Sequence, residues 1–188
     1  PALCTFANLP FRKIVKNFGC DVTMSEMVMS QSLIEGKSSE WALAKKDPIE
    51  DIFGVQICAG EKMKVYKAIK LLDEFCPDIS FYELNCACPI DLVYNKGMGA
   101  RLCETPTRVQ TILQAMRNAT NKPIAIKVRT GKNENTIASN LIPYLYDYGA
   151  CNVSIHGRTR NQRYSKEADW DYIEECVKVR IEDRKSVV

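Results

Sequence analysis

The feature that most limits the possible folds is a repeated alternation of short apolar segments with amphipathic helical segments. Six apolar segments typical of β-strands begin near residues 1, 22, 53, 79, 123 and 152. Strands that alternate with helices form parallel sheets, and no strand is followed by the G-x-G-x-x-G turn of a dinucleotide-binding Rossmann domain. We therefore predict an α/β fold, a TIM-type (β/α)8 barrel. Because such a barrel needs eight units and about 250 residues, this chain of 188 residues is predicted to hold an incomplete one of about six units.

The helical segments have recognisable ends. Asn8 is predicted to cap the first helix, with Pro10 in its first turn and Gly19 after its end. Its apolar stripe consists of Leu9, Phe11, Ile14, Val15 and Phe18. Later helices are predicted over residues 61–75, 106–119, 134–148 and 170–179, with Thr105 and Asp169 as caps of the second and the fourth of these. We predict one domain over residues 1–179, followed by a divergent polar tail over residues 180–188.

Composition limits the cellular setting. The nine cysteines are an odd number and no apolar segment opens the chain, so we expect a reducing compartment, the cytosol or the nucleus. No apolar run approaches the roughly 20 residues that cross a bilayer, and no membrane association is expected. The net charge of +3 is compatible with a polyanionic partner but does not identify one. We expect a monomer.

A cysteine follows the fourth predicted strand, in the most informative stretch of the chain, residues 79–104. The strand ends at Asn85, and Cys88 lies in the loop that follows, where α/β folds place accessible functional groups. Pro89 restricts Cys88 to extended backbone geometry. Two other interpretations remain open at this point. Cys88 could be a small buried hydrophobe, or it could chelate a metal with Cys86, although the absence of a C-x-x-C pair and the presence of one histidine disfavour zinc.

Polar residues stand at the ends of four consecutive strands. The carboxyl ends of parallel strands share one face of a barrel, so we expect these residues to converge there. They are Gln56, Asn85, Lys127, Arg129, His156 and Arg158. Lys127 lies in an otherwise apolar strand and should meet an anion or a strong acceptor, whereas Gln56 is equally explained by a surface-facing position. Arg158, Arg160, Arg163 and Lys166, with Tyr164 among them, form a basic loop that is either solvated or in contact with phosphates.

These residues together resemble the ordered motifs of a known family, the flavin-dependent tRNA-dihydrouridine synthases. The motifs are Asn85-x-Ala87-Cys88-Pro89, Lys96-Gly97-x-Gly99, Lys127-x-Arg129-x-Gly131 and His156-Gly157-Arg158-Thr159. Residues 8–12, 88–94 and 162–176 resemble in particular the eukaryotic branch that acts on a uridine in the variable-loop region of tRNA. The resemblance implies that residues 1–179 are an FMN-binding catalytic TIM barrel, that NADPH or NADH is the reductant, and that tRNA is the substrate.

The resemblance also implies roles for individual residues. Cys88 matches the general acid that protonates C5 of uracil, a task that suits a thiol because its ordinary pKa of about 8.5 keeps it protonated at neutral pH. Residues that match flavin contacts are Pro1, Ala2, Leu3, Gln56, Lys127 and His156. Residues assigned to substrate binding are Asn85 and Tyr164, together with Arg129 and Arg158. No metal is expected.

One departure from the family pattern bears on the site. Ala87 stands where the family usually has glycine, so a distorted loop is expected if that position requires a positive φ. Two alternative functions stay open: a truncated, non-catalytic RNA-binding remnant, and a flavin barrel that acts on a free pyrimidine such as dihydroorotate.

Overall fold

The structure is a computed structural model that describes residues 7–185, with side chains described through residue 179. Within this range five strands form one parallel sheet in the order β1-β2-β3-β4-β5. The strands are β1 (Val22–Met29), β2 (Ile52–Cys58), β3 (Phe81–Cys86), β4 (Ile124–Arg129) and β5 (Asn152–His156). The strand predicted near residue 1, with the candidate flavin contacts Pro1, Ala2 and Leu3, lies outside the described residues.

Helices precede and connect the strands. The α-helices are α1 (Leu9–Asn17), α2 (Ser30–Ile34), α3 (Ser38–Leu43), α4 (Lys62–Phe75), α5 (Asp91–Tyr94), α6 (Pro106–Ala119), α7 (Ile137–Asn140) and α8 (Trp170–Lys185). Two 3-10 helices cover Gly99–Glu104 and Ile142–Tyr144. Each strand pairs with the next one along the chain and the order never reverses. A doubly wound sheet would contain a reversal, so the sheet is an arc of a barrel and the predicted fold class, an incomplete (β/α)8-type barrel, is confirmed.

The two faces of the sheet differ in chemistry because successive side chains of a strand point to opposite faces. The outer face is apolar and packs against the helices, with Val55, Leu84, Ile126 and Ile155 among its members. The inner face carries polar side chains in matching register: Gln56 pairs with Glu83, and Asn85 pairs with Lys127. The fold therefore places a row of polar groups inside the arc.

Helix α1 begins as predicted but buries a different face. The Asn8 side chain accepts a hydrogen bond from the main-chain N–H of Phe11 at 3.1 Å, which confirms the cap. The predicted stripe is wrong as a packing face, since Phe11, Ile14 and Phe18 are all exposed. The buried residue of the helix is Arg12. It donates to Glu50 at 2.8 Å and to the main-chain oxygens of Ala7 and Lys45, so a long-range ion pair decides which face turns inward.

Other boundaries differ from the predictions for local reasons. Residues 134–148 do not form one helix, because α7 ends at Asn140 and a 3-10 turn follows in which Pro143 offers no N–H. Strand β1 runs on to Met29 because its pairing with β2 resumes after an irregularity between Met24 and Met27. Thr105 precedes α6 without capping it through its side chain, whereas the Asp169 carboxylate accepts from the main-chain N–H of Tyr172 at 2.9 Å.

The backbone of α8 continues into the segment predicted as a polar tail and ends at Lys185. Among the described residues, every helix is too short or too polar to cross a bilayer.

Candidate active site

Three side chains of neighbouring strands form a hydrogen-bonded row inside the arc. The Asn85 amide nitrogen donates to the Gln56 amide oxygen at 2.7 Å, and the Gln56 amide nitrogen donates to the Glu83 carboxylate at 2.6 Å. All three side chains are buried. Burying a polar group without a hydrogen bond costs free energy, and here each side chain is hydrogen-bonded to its neighbour in the row. Gln56 therefore does not face the outer surface.

The row continues toward Lys127. Lys127 pairs in register with Asn85 on one side and with Ser154 on the other, and the Ser154 hydroxyl donates to the second oxygen of Glu83 at 3.4 Å. Burial raises the pKa of the Glu83 carboxyl, while the hydrogen bond from Gln56 and the positive charge of Lys127 act in the opposite direction. The ammonium predicted to need a strong acceptor or an anion thus lies close enough to a buried carboxyl to influence its charge.

The candidate catalytic thiol follows β3 directly. We call residues 87–90 the thiol loop. The Asn85 side-chain oxygen accepts hydrogen bonds from the main-chain N–H groups of Ala87 at 3.1 Å and of Cys88 at 2.9 Å. Cys88 is 6% exposed, and its side chain packs with Cys58 and Val93 and with three partly buried methionines, Met27, Met29 and Met98. One asparagine therefore joins the thiol loop to the inner polar row.

A glycine on the far side of the loop limits the position of Cys88. Gly99 has a φ of +59°, and a Cβ atom there would lie 2.7 Å from the main-chain oxygen of Cys88 and 3.1 Å from its Cβ. The main-chain N–H of Ala100 donates to that same Cys88 oxygen at 2.9 Å. This close approach requires the absence of a side chain at position 99. Glycine there allows the backbone to pack directly against Cys88.

The expected distortion at Ala87 does not occur. Among the described residues other than glycine, only Arg163 has a positive φ, so Ala87 takes a backbone conformation that any L-residue adopts. Alanine in place of the usual glycine is therefore accommodated without backbone strain.

Arg129 joins two loops. We call residues 157–169, which connect β5 to α8, the Tyr164 loop. The Arg129 guanidinium donates to the main-chain oxygens of Ala87 at 2.8 Å, Thr159 at 2.9 Å and Arg163 at 3.1 Å. It is 1% exposed, and desolvation lowers its pKa. In this arrangement Arg129 fixes the thiol loop against the Tyr164 loop; direct contact with a substrate stays a prediction.

His156, Arg158 and Tyr164 lie next to Arg129. The guanidinium of Arg158 lies 3.0 Å from Nε2 of His156, and the rings of His156 and Tyr164 are 5.6 Å apart. Burial, together with the charges of Arg129, Arg158 and Lys127, lowers the pKa of His156 to about 4. The imidazole is therefore neutral near pH 7. Since a guanidinium can only donate, Nε2 is the acceptor and the ring hydrogen resides on Nδ1.

The basic residues of the Tyr164 loop are only partly solvated. Arg160 and Arg163 both form ion pairs with the carboxylate of Asp91, while Lys166 is exposed. Tyr164 itself is exposed and lies within 6 Å of the guanidinium groups of Arg129 and Arg158. Part of the positive charge is thus neutralised within the chain, and the rest faces outward around an aromatic ring.

The predicted convergence of strand-end residues is observed for the described part of the chain. Cys88, Arg129, Tyr164, Arg158 and His156 form one contiguous rim, through the contacts above and through an electrostatic interaction between Cys88 and Arg129. Gln56, Asn85 and Lys127 line the inner face next to it.

Sequence reasoning missed Glu83, Ser154 and Asp91. Glu83 carries the same signal as Gln56 and Lys127, a polar residue inside an apolar strand. Asp91 carries no local signal, since its partners lie about 70 residues away.

The lining of the arc suits a flat ring system with one polar edge. Gln56, Asn85, Lys127 and the neutral His156 supply donors and acceptors, and the partly buried side chains of Met27 and Met29 supply an apolar surface on the neighbouring strand. A flavin has this division between a polar pyrimidine edge and an apolar dimethylbenzene edge, so the residues present fit FMN. Within the described residues no group of His, Cys, Asp or Glu side chains is placed to hold a metal ion.

The fold and the site define a (β/α)8-type barrel protein whose candidate chemistry lies at the carboxyl ends of the strands, where a buried thiol stands beside a polar inner row. A family model described as Dihydrouridine synthase (Dus) matches residues 3–182. The chain therefore belongs to the dihydrouridine synthase family.

Curated relatives agree with this assignment. A protein of Oryza sativa subsp. japonica named tRNA-dihydrouridine(47) synthase [NAD(P)(+)]-like is 45% identical over 178 residues, which cover 93% of this chain and 25% of the relative. A Homo sapiens protein of the same name is 46% identical over 93% of the chain and 27% of its own length. A Vanderwaltozyma polyspora protein named tRNA-dihydrouridine(47) synthase [NAD(P)(+)] is 41% identical, with 94% and 27% covered. The chain thus spans about a quarter of the length of these relatives.

Proposed function

We propose that this chain is part of the catalytic barrel of an FMN- and NAD(P)H-dependent tRNA-dihydrouridine synthase, which reduces the C5–C6 double bond of a uridine in tRNA. The observation that carries the proposal is the junction at Asn85, whose side chain binds both the thiol loop and the inner polar row. One side chain thus links the proposed proton donor to the proposed cofactor-binding surface. The family assignment and the names of the relatives, which mention position 47 of tRNA and NAD(P), support the substrate and the reductant.

Three described residues are proposed to hold the cofactor. When bound, FMN supplies the hydride that C6 of the uracil ring receives. Lys127 would place a positive charge beside the flavin, where such a charge tunes the electronics of the cofactor. His156 is neutral because its pKa is lowered to about 4, so it offers a hydrogen-bond donor at Nδ1 without adding charge. Gln56 is oriented by Asn85 and Glu83 on either side. The proposed contacts of Pro1, Ala2 and Leu3 are not part of the described structure.

The proton for C5 is proposed to come from the Cys88 thiol. The S–H bond breaks, a C–H bond forms at C5, and the sulfur is left as a thiolate that later regains a proton from water. The Arg129 guanidinium interacts electrostatically with Cys88, so its charge stabilises that thiolate. Asn85 and Tyr164 are proposed to hold the uracil ring, with Arg158 at its edge. Because a stacked base cannot reach a buried thiol, the uridine must leave its stack.

The test uses the purified chain, the variant Cys88→Ala, and Cys151→Ala as the matched control, since Cys151 is an exposed cysteine. We expect the unaltered chain and both variants to retain flavin and to be reduced by NADPH or NADH. Dihydrouridine should form in an unmodified tRNA transcript with the unaltered chain and with Cys151→Ala, and should be lost with Cys88→Ala.

Other outcomes discriminate among the alternatives. Full activity of Cys88→Ala would remove Cys88 as the proton donor. RNA binding that weakens with salt, in a chain that retains no flavin, would support the non-catalytic RNA-binding remnant. Turnover of dihydroorotate without any reaction on tRNA would support a barrel that acts on free pyrimidines.

A further inference from the structure

An ion-pair cluster centred on Asp91 joins the two loops of the rim. Asp91 is the first residue of α5 and follows the thiol loop directly. One of its carboxylate oxygens pairs with Arg160 and the other lies 3.3 Å from a terminal nitrogen of Arg163. Both arginines belong to the Tyr164 loop. Asp91 therefore connects the two loops from outside, whereas Arg129 connects them from inside.

Arg160 is held more firmly than an ordinary surface cation. Its side chain is 15% exposed, and its guanidinium lies 4.3 Å from the centre of the Tyr94 ring in α5. The Tyr94 hydroxyl in turn donates to Glu104. Exposed ion pairs contribute little because water and salt compete for both partners. Here one partner is largely desolvated and stacked on a buried ring, so the pair with Asp91 has a defined geometry.

The other arginine sets the direction of the loop. Arg163 has a φ of 49°, a conformation that is unfavourable for a residue with a side chain. It is restrained twice, because its side chain pairs with Asp91 and its main-chain oxygen accepts from Arg129. The next residue is Tyr164, which this turn directs toward His156 and Arg129.

We propose that Asp91 is a positioning residue: by holding Arg160 and Arg163, it fixes the Tyr164 ring relative to the Cys88 thiol. The inference rests on the proposed function for the roles of Tyr164 and Cys88, but the geometry of the two loops does not depend on that function. The Tyr164 loop has other attachments, since the main-chain N–H groups of Arg160 and Asn161 donate to Gly131 and Lys132. Loss of Asp91 should therefore loosen the loop over the thiol without unfolding it.

The experiment compares Asp91→Asn with Asp51→Asn. Asp51 is an exposed carboxylate in an ion pair with Lys16 next to the amino end of β2, so this control removes the same charge at the opposite end of the sheet. Alkylation by iodoacetamide is followed separately for each cysteine by mass spectrometry. We expect labelling of Cys88 to rise about three-fold in Asp91→Asn, the scale of one partly exposed ion pair. Labelling of the exposed Cys151 should stay unchanged, and so should all labelling in Asp51→Asn.

Two further readouts separate positioning from general weakening of the fold. Trypsin should cleave after Arg163 several-fold faster in Asp91→Asn, and Asp91→Glu should restore the original rate. With tRNA as substrate, KM should rise more than kcat falls, because the substrate-holding ring is displaced while the proton donor is retained. If Asp91→Asn proves unfolded by its thermal melt, Arg163→Gln removes one arm of the cluster instead. Because it also removes the trypsin site, it is followed by Cys88 labelling alone, which should rise by less than about three-fold.

Unchanged Cys88 labelling and unchanged trypsin cleavage in folded Asp91 variants would overturn the inference, as would equal changes in Asp51→Asn. Loosened loops together with no dihydrouridine formation by the unaltered chain would instead leave the positioning effect in place and remove the proposed function.

Discussion

Replacement of Arg129 by lysine tests how the rim is held together. The guanidinium donates to three main-chain oxygens in two different loops and is almost fully buried. A lysine keeps the charge but lacks the planar fork, so it can satisfy about one of these oxygens. Hydrogen bonds to charged groups contribute about 1.5–3 kcal/mol each, so the loss of two should lower the free energy of unfolding by about 3–6 kcal/mol.

The matched control is Arg12→Lys. Arg12 is also a buried arginine, and it donates to Glu50 and to two main-chain oxygens. We expect both variants to lose stability by a similar amount in urea titrations followed by intrinsic tryptophan fluorescence. Only Arg129→Lys should also increase the alkylation of Cys88 at urea concentrations below the unfolding transition, because only Arg129 binds the thiol loop.

Two results would refute this reasoning. A loss below about 1 kcal/mol in Arg129→Lys would mean that the three main-chain oxygens find other partners at little cost. Equal Cys88 alkylation in the two lysine variants would mean that Arg129 does not hold the thiol loop in particular.

Three further predictions concern single residues of the site. Because His156 has a folded pKa of about 4 against an ordinary value near 6.5, the unfolded chain takes up the proton first; stability should therefore fall as the pH drops from 6.5 to 4, by about 1–2 kcal/mol after allowance for partial exposure. Titrations in urea at several pH values should show that this loss shrinks in His156→Gln. Gly99→Ala places a Cβ atom 2.7 Å from the Cys88 oxygen and should lower the free energy of unfolding by about 2–4 kcal/mol. Gly36→Ala, also at positive φ but with open space around it, should lower it by about 1 kcal/mol; thermal melts of the two variants distinguish these effects. Glu83→Ala leaves the buried amide nitrogen of Gln56 without its acceptor and should lower the free energy of unfolding by about 1–3 kcal/mol, while the exposed Glu61→Ala should change it by less than about 0.5 kcal/mol; no difference between them in urea titrations would contradict the hydrogen bond from Gln56 to Glu83.

Much of the fold follows from local pattern. The observed strands β2 to β5 lie within two residues of their predicted positions, because apolar runs bounded by turn residues are a short-range signal. The convergence of Gln56, Asn85, Lys127 and His156 at one end of the sheet follows from the shared direction of parallel strands. Neither inference needs any knowledge of which residues touch.

The errors arise where distant residues decide the outcome. Helix α1 has an apolar stripe, but Arg12 turns inward because Glu50, 38 residues further along, holds its guanidinium. The role of Asp91 depends on two arginines about 70 residues away. Periodicity describes one segment at a time, and these contacts lie between segments. Glu83 is different, because a polar residue inside an apolar strand is the same sequence signal that identified Lys127.

The hydrogen bonds of the inner polar row all run in one donor-to-acceptor direction, so the orientation of each amide depends on that of its neighbour. Two peptide N–H groups point at the oxygen of Asn85, so its NH₂ group must face Gln56, and the NH₂ group of Gln56 must in turn face Glu83. The orientation of both carboxamides is thus dictated from the peptide bonds at Ala87 and Cys88. An aspartate at position 85 would still satisfy those peptide bonds, but it would present a second oxygen to Gln56, which would then have to flip and turn its own oxygen toward Glu83. Two acceptor oxygens would then meet at Glu83, and its carboxyl could stay in the row only in its protonated form, as a donor to Gln56.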